Sequence, residues 1–168
     1  MLVTVAALVA VGLPPAAGQN TAAPAPRPTS IIERMGVAMA FPAARHAIAF
    51  GPFTPPRHIV GVALLPPFHG EDTRANRGIG FEYADLAGRL YALAEWPANG
   101  GTLAHFPSLG AQEPECPDAR TFSRGTRPNG IVWSTTRGLI MTLQADGAND
   151  ARTLELEWRK LIRRGVCR

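Results

Sequence analysis

The sequence predicts an α+β fold. We expect a largely antiparallel sheet with a carboxy-terminal helix packed on one face and an amino-terminal helix at the edge. Runs of β-branched and aromatic residues follow one another with only turn residues between them, which favours hairpins over crossover helices. The chain ends in a segment whose apolar residues have helical spacing, and such a helix buries its apolar face against a sheet.

The last third of the chain shows this pattern most clearly. Residues 131–136 and 139–145 predict two strands around Arg137-Gly138. Asn149 or Asp150 then caps a helix, and Gly165 is a stop signal after it. The apolar positions of that helix recur three and four residues apart, at Ala151, Leu154, Trp158, Leu161 and Ile162.

The earlier part of the chain contributes a helix and further strands. Ser30 and Glu33 fit a capping box, which predicts a helix that runs to about Phe41 before Pro42 stops it. We find no internal repeat. The remaining predicted elements are a strand over 59–65, a hairpin of 79–83 and 89–96 around 85–88, a short strand over 103–106 and a loop over 109–120 that holds Cys116.

Composition indicates one folded domain with flanking segments. The chain has 168 residues, of which 46% are hydrophobic and 18% are charged. The net charge is +4, and Lys160 is the only lysine. Because the arginines are scattered and form no block, the charge argues against a nucleic-acid partner.

The amino terminus predicts export. Residues 1–18 hold an uncharged apolar run from Leu2 to Leu13, two prolines and Ala16-Ala17-Gly18, as in a signal peptide cleaved before Gln19. No basic residue precedes the run, so an uncleaved anchor that contacts the membrane is the alternative. Residues 19–29 are a Pro/Ala-rich linker, and residues 30–168 form the single domain. We therefore expect a periplasmic or secreted protein.

The hairpin Gly80-Phe-Glu-Tyr-Ala-Asp-Leu-Ala-Gly-Arg-Leu-Tyr-Ala-Leu-Ala-Glu-Trp-Pro97 and the closing strand–strand–helix unit carry a resemblance. Together they resemble the small extracytoplasmic domain, of unknown function, of bacterial anti-sigma-factor-like membrane proteins and related secreted proteins. The resemblance covers roughly residues 42–164 and implies an α+β fold outside the cytoplasm. It implies no sigma-factor binding, because the chain lacks the zinc-associated segment.

Residues suited to catalysis or metal binding do not cluster in the sequence. The only histidine close to carboxylates is His69, in His69-Gly-Glu71-Asp72, whereas a metal site needs three or four converging ligands. We find no nucleophile elbow, phosphate loop or dinucleotide fingerprint. We thus predict no catalytic residues, no metal and no cofactor. Trp96, Trp133 and Trp158 are interpreted as core residues rather than as a ligand cage.

Three hypotheses about function follow. The first is a non-enzymatic envelope domain that binds a protein or an amphiphile through one face of its sheet. The second is a small exported hydrolase whose site converges only in three dimensions, for example around His69, His105 and a carboxylate. The third is a binder of anionic surfaces that uses the scattered arginines Arg120, Arg124, Arg127 and Arg137.

The two cysteines, Cys116 and Cys167, predict a disulfide bond. An exported chain meets an oxidising compartment, where an even number of cysteines favours pairing. Cys116 is expected in a polar loop and Cys167 past the last helix, and both segments could adjust to the geometry of the bond. The alternatives are two free thiols in a cytoplasmic protein and an intermolecular pair.

Overall fold

The computed structural model describes residues 30–55, 58–99, 103, 109–113, 116–124, 127–145 and 151–167. Three helices and eight strands follow one another along this part of the chain. They are α1 (Ile31–Met35), β1 (Val37–Ala38), α2 (Phe41–His46), β2 (Ile59–Leu65), β3 (Gly78–Ala84), β4 (Leu90–Pro97), β5 (Leu109–Glu113), β6 (Cys116–Arg124), β7 (Arg127–Ser134), β8 (Leu139–Ala145) and α3 (Ala151–Arg163).

All eight strands form one sheet, in the order β1-β2-β3-β4-β8-β7-β6-β5. Every neighbouring pair is antiparallel. Two meanders therefore meet at the centre, where Leu93 of β4 lies opposite Leu143 of β8. The α+β class and the antiparallel sheet are confirmed.

The carboxy-terminal helix packs on one face of the sheet, as predicted. Leu154, Trp158 and Leu161 of α3 are buried in one cluster with side chains of β4, β7 and β8. The rings of Trp158 and Trp133 lie 4.6 Å apart, and the indole N–H of Trp133 donates to the carbonyl of Val166 over 3.3 Å. These contacts join the helix and the chain end to the centre of the sheet.

The two shorter helices cover the other meander from opposite sides. Ala44 of α2 packs with Val62, Ile79 and Phe81, on the same face as α3. On the opposite face, Ile31, Ile32 and Met35 of α1 pack on apolar side chains of β2 and β4, namely Ala63, Leu65, Ala92, Ala94 and Trp96. The first meander is thus covered on both sides.

The β3–β4 and β7–β8 hairpins have the same turn. In the first, the Asp85 carboxylate accepts the N–H groups of Ala87 and Arg89. In the second, the Thr135 hydroxyl accepts those of Arg137 and Leu139. A glycine with positive φ completes each turn, 75° at Gly88 and 70° at Gly138. The sequence shows no repeat because these hairpins share little beyond the turn residues.

The first helix is shorter than predicted. The capping box of Ser30 and Glu33 is present, but α1 ends at Met35 rather than near Phe41. The cause is Gly36, whose backbone passes against β2 so closely that a β-carbon would collide with the Leu64 carbonyl. Only glycine fits there, and the chain leaves the helix to form β1.

The predicted loop over residues 109–120 is wrong, because this segment holds β5 and the first part of β6. Its prolines and acidic residues suggest a loop, but Pro117 occupies the second position of β6, near the strand end where proline is tolerated. Cys116 opens β6 and is only 2% exposed, so it belongs to the core and not to a polar loop.

The pairing of Cys116 with Cys167 is confirmed. The bond joins the start of β6 to the segment after α3, across a sequence separation of 51 residues, with the two Cα atoms 6.0 Å apart. Several other predictions concern residues outside the described ranges. These are the signal peptide (1–18), the linker (19–29), the helix cap at Asn149 or Asp150 and, apart from Leu103, the short strand over 103–106.

Candidate functional site

The faces of the described sheet are covered rather than open. Towards α2 and α3, the buried side chains include Phe81, Leu93 and Met141. On the opposite face, α1 covers strands of the first meander, and Val132 of β7 and Ile140 of β8 are buried as well. Among described residues, the large apolar side chains left exposed are Val37, Phe41, Val60, Leu86 and Leu156. A binding surface is therefore expected at the sheet edge rather than on its faces.

One edge of the sheet is formed by the two-residue strand β1. It pairs with β2 through Val37 opposite Leu64 and Ala38 opposite Ala63, and it is the last strand on that side. The side chain of Val37 is 67% exposed. An edge strand offers unpaired backbone groups to another extended chain, and natural proteins keep such edges short. No sequence signal other than the preceding glycine marks this edge.

A groove of about 440 Å³ runs beside this strand. We call it the edge groove. Apolar and backbone atoms form most of it, and four charged residues complete it. The residues that line it are Glu33, Arg34, Met35, Gly36, Val37, Leu64, Leu65, Pro66, Asp72 and Arg77.

Three of the charged residues of the edge groove are held by hydrogen bonds. Glu33 accepts the N–H of Ser30 over 3.1 Å and closes the helix cap. The guanidinium of Arg77 donates two hydrogen bonds to the Asp72 carboxylate, of 2.6 and 3.1 Å. These hydrogen bonds lower the pKa of Asp72, so the pair stays ionised at neutral pH. The groove therefore presents fixed charges of both signs beside an apolar strand.

Of the two histidines of the hydrolase hypothesis, the structure describes His69. His46, His58 and His69 are exposed, and His105 lies outside the described residues. The ring of His69 meets that of Phe68 edge-on, while Asp72 pairs with Arg77. Within the described ranges, no three residues of the types that bind metals are grouped.

The four arginines of the third hypothesis are spread over the second meander. Arg120 lies on β6 and is half-buried, whereas Arg137 is exposed in the β7–β8 turn. Arg124 and Arg127 occupy the ends of β6 and β7, where they pair across the hairpin.

The buried carboxyl group of Glu95 is a feature that the sequence analysis missed. Glu95 lies on β4 between Ile79 and Met141 and has no exposed surface. One carboxyl oxygen accepts the N–H of Phe53 over 2.9 Å, and the other has no hydrogen-bond partner. Burial raises the pKa of Glu95 to about 8, against the opposing effect of that hydrogen bond. The sequence does carry one signal of this burial: Glu95 alternates in phase with Tyr91 and Leu93, so it lies on the same face of β4 as these two apolar residues.

A second buried carboxyl group, that of Glu157, lies on α3. Its side chain is fully buried, and one carboxyl oxygen accepts a hydrogen bond from the ammonium group of Lys160 over 2.8 Å. The other oxygen has no hydrogen-bond partner. Since it is paired and opens onto no described cavity, we interpret Glu157 as structural.

Comparison with protein-family models, curated proteins and solved structures finds no match to this chain. Across the ranges that the structure describes, no helix is long and apolar enough to cross a membrane.

Proposed function

We propose that this chain is an exported, non-enzymatic domain that binds an extended segment of a partner protein at the edge groove. In this arrangement the partner segment adds a strand to β1, with backbone hydrogen bonds supplying affinity and the groove supplying selectivity. The exposed edge at Val37 and Ala38 is the observation that carries the proposal. The proposal also places α1 at this edge of the sheet, where it forms a wall of the edge groove.

The groove favours a peptide segment over other partners. Side chains of an extended chain alternate in direction, so apolar groups could contact Met35 and Leu65 while polar groups meet the Asp72–Arg77 pair. The covered faces of the described sheet leave no comparable surface for an amphiphile.

The disulfide supports the proposed compartment. A bond between Cys116 and Cys167 is compatible with an oxidising environment outside the cytoplasm. Export through the apolar run of residues 1–18, with cleavage after Gly18, would bring the chain there. The same export step would precede either a periplasmic location or secretion into the medium.

Selection of binding peptides tests the proposal. A random ten-residue peptide library would be displayed and selected against the folded domain, and the enriched peptides measured against two variants. Val37→Arg places a bulky charge on the exposed edge, and Leu156→Arg makes the same change on the exposed side of α3. We expect about tenfold weaker binding for Val37→Arg and no change for Leu156→Arg. Equal binding to both variants would contradict the proposal.

A further inference from the structure

We propose a second binding site, for a short aliphatic monocarboxylate, at the carboxy-terminal end of α3. A cavity of about 90 Å³ opens there. We call it the arginine pocket. The residues lining it come from the β7–β8 hairpin, the loop after α2 and the end of α3, namely Gly51, Phe53, Thr135, Arg137, Leu139, Met141, Arg164, Gly165 and Val166.

The pocket combines an apolar floor with two cationic side chains. Leu139, Met141 and Val166 are buried, so they offer hydrocarbon surface beneath an opening. Arg137 and Arg164 are exposed and line the same cavity. Neither guanidinium forms a salt bridge with any carboxylate in the described part of the chain. Two uncompensated positive charges over an apolar cavity favour an anion with a hydrocarbon body.

A contact with an aromatic ring orients Arg164 in the absence of a ligand. Its guanidinium lies 5.6 Å from the centre of the Phe53 ring, within the range of a cation–π contact. Phe53 is held in turn by the hydrogen bond from its N–H to Glu95. A preorganised arginine loses less conformational entropy on binding a carboxylate.

Thr135 adds a hydrogen-bond donor. Its hydroxyl oxygen already accepts the N–H groups of Arg137 and Leu139, each over 3.3 Å. A hydroxyl has two acceptor positions and one donor hydrogen, so the hydrogen remains for an acceptor in the pocket. Two arginines and this hydroxyl make a donor set, and no carboxylate lines the cavity.

Hydrogen bonds at the end of α3 occupy several of the carbonyls that would otherwise repel the anion. The N–H of Gly165 donates to Ile162, and the N–H of Val166 donates to Leu161, which is the Schellman pattern. The carbonyl of Val166 is taken by the Trp133 indole. These hydrogen bonds reduce the negative potential that a helix carboxy terminus would otherwise place at the pocket.

The size of the cavity limits the ligand. The cavity of about 90 Å³ is smaller than the engineered protein cavity of about 150 Å³ that binds benzene. An acid of two to four carbon atoms fits this space, whereas an aromatic acid does not. A ligand with so few atoms binds in the millimolar range.

Calorimetric titration with propionate at pH 7 tests the site on the full mature chain. We expect binding with a dissociation constant on the order of 1 mM. Propionamide, which has nearly the same shape without the charge, and inorganic phosphate, which has charge without the hydrocarbon, should each bind about tenfold more weakly. Absence of propionate binding, or equal binding of either control ligand, would overturn the assignment.

Arginine variants locate the site. Arg164→Gln and Arg137→Gln should each weaken propionate binding about tenfold. Arg163→Gln is the matched control, because Arg163 is also exposed at the end of α3 but does not line the cavity. All three are surface changes, and near-ultraviolet circular dichroism would verify their folding. An equal loss in Arg163→Gln would show a general charge effect and refute the pocket. Because the edge groove is not involved, the result is independent of the proposed peptide binding.

Discussion

At the scale of single residues, Glu95 departs most from ordinary packing. A carboxyl group at the centre of a sheet, between Ile79 and Met141, is costly to ionise. The protein therefore keeps it protonated at neutral pH, with its pKa at about 8. Its hydrogen bond from Phe53 attaches the loop after α2 to the sheet. A buried acid of this kind couples folding to pH.

We predict that Glu95 makes the folded state less stable as pH rises. Below pH 4.5 the carboxyl group is protonated in both states, and its contribution is fully present. Between 4.5 and about 8 only the folded state keeps the proton, so stability falls; above about 8 the loss is complete. The interval corresponds to a loss on the order of 5 kcal/mol.

Denaturant unfolding of wild type and Glu95→Gln from pH 4 to 9 measures this effect. The glutamine carbonyl keeps the acceptor for the Phe53 N–H but does not titrate. Other ionisable groups are common to both proteins, so they cancel in the difference between the two curves. The variant should gain stability relative to wild type as pH rises, whereas parallel curves would disprove the role of Glu95.

At the scale of elements, the change from α1 to β1 depends on one close contact. The backbone of Gly36 lies against the carbonyl of Leu64, leaving no space for a β-carbon. Its φ of −165° is extended backbone that other residues also adopt, so the requirement is one of space. The edge strand and the groove beside it exist because this residue is glycine.

We predict that Gly36→Ala destabilises the domain by about 1–3 kcal/mol, because β1 has to move away from β2. Gly51→Ala is the control, since a β-carbon at Gly51 meets no atom within 4 Å. Urea unfolding gives both values. A Gly36→Ala protein as stable as the Gly51→Ala protein would rule out the close contact.

Elements with strong local patterns could be predicted from the sequence, whereas those fixed by tertiary contacts could not. The strand pattern of β8 and the helical spacing of Leu154, Trp158 and Leu161 predict their structures because alternate residues of the strand and one side of the helix enter the same buried cluster. The end of α1 depends on the distant Leu64, which no local pattern reveals. The edge groove and the arginine pocket combine residues far apart in sequence, so neither was predicted.

At the scale of the whole molecule, the disulfide joins the two ends of the second half of the fold. Cys116 begins β6 and is buried, while Cys167 follows α3. The bond closes a long stretch that includes β7, β8 and the helix. It restricts the unfolded chain and, in the folded state, keeps the chain end near Trp133, whose indole donates to Val166.

We predict that replacing both cysteines by alanine lowers the free energy of unfolding by about 4 kcal/mol, the value that chain entropy gives for a loop of this length. Thermal unfolding with and without a reductant provides the measurement. Reductant should destabilise the wild-type protein and leave the double variant unchanged. A wild-type protein insensitive to complete reduction would contradict the expected role of the bond.

Processing of the whole chain is a separate prediction. If the apolar run before Pro14 directs export and Ala16-Ala17-Gly18 is the cleavage motif, the mature protein begins at Gln19. Amino-terminal sequencing of protein isolated from the cell envelope or medium would show this. Recovery of the full-length chain in the cytoplasm would refute export.

Hydrogen exchange at the sheet edge tests the central claim, that a partner segment adds a strand to β1. Amide exchange would be followed by nuclear magnetic resonance, with and without a saturating peptide from the selection. We predict that at least one amide of Val37 or Ala38 exchanges about tenfold more slowly with the peptide bound, because a new backbone hydrogen bond protects it. Unchanged exchange at both residues, under saturation, would contradict the account.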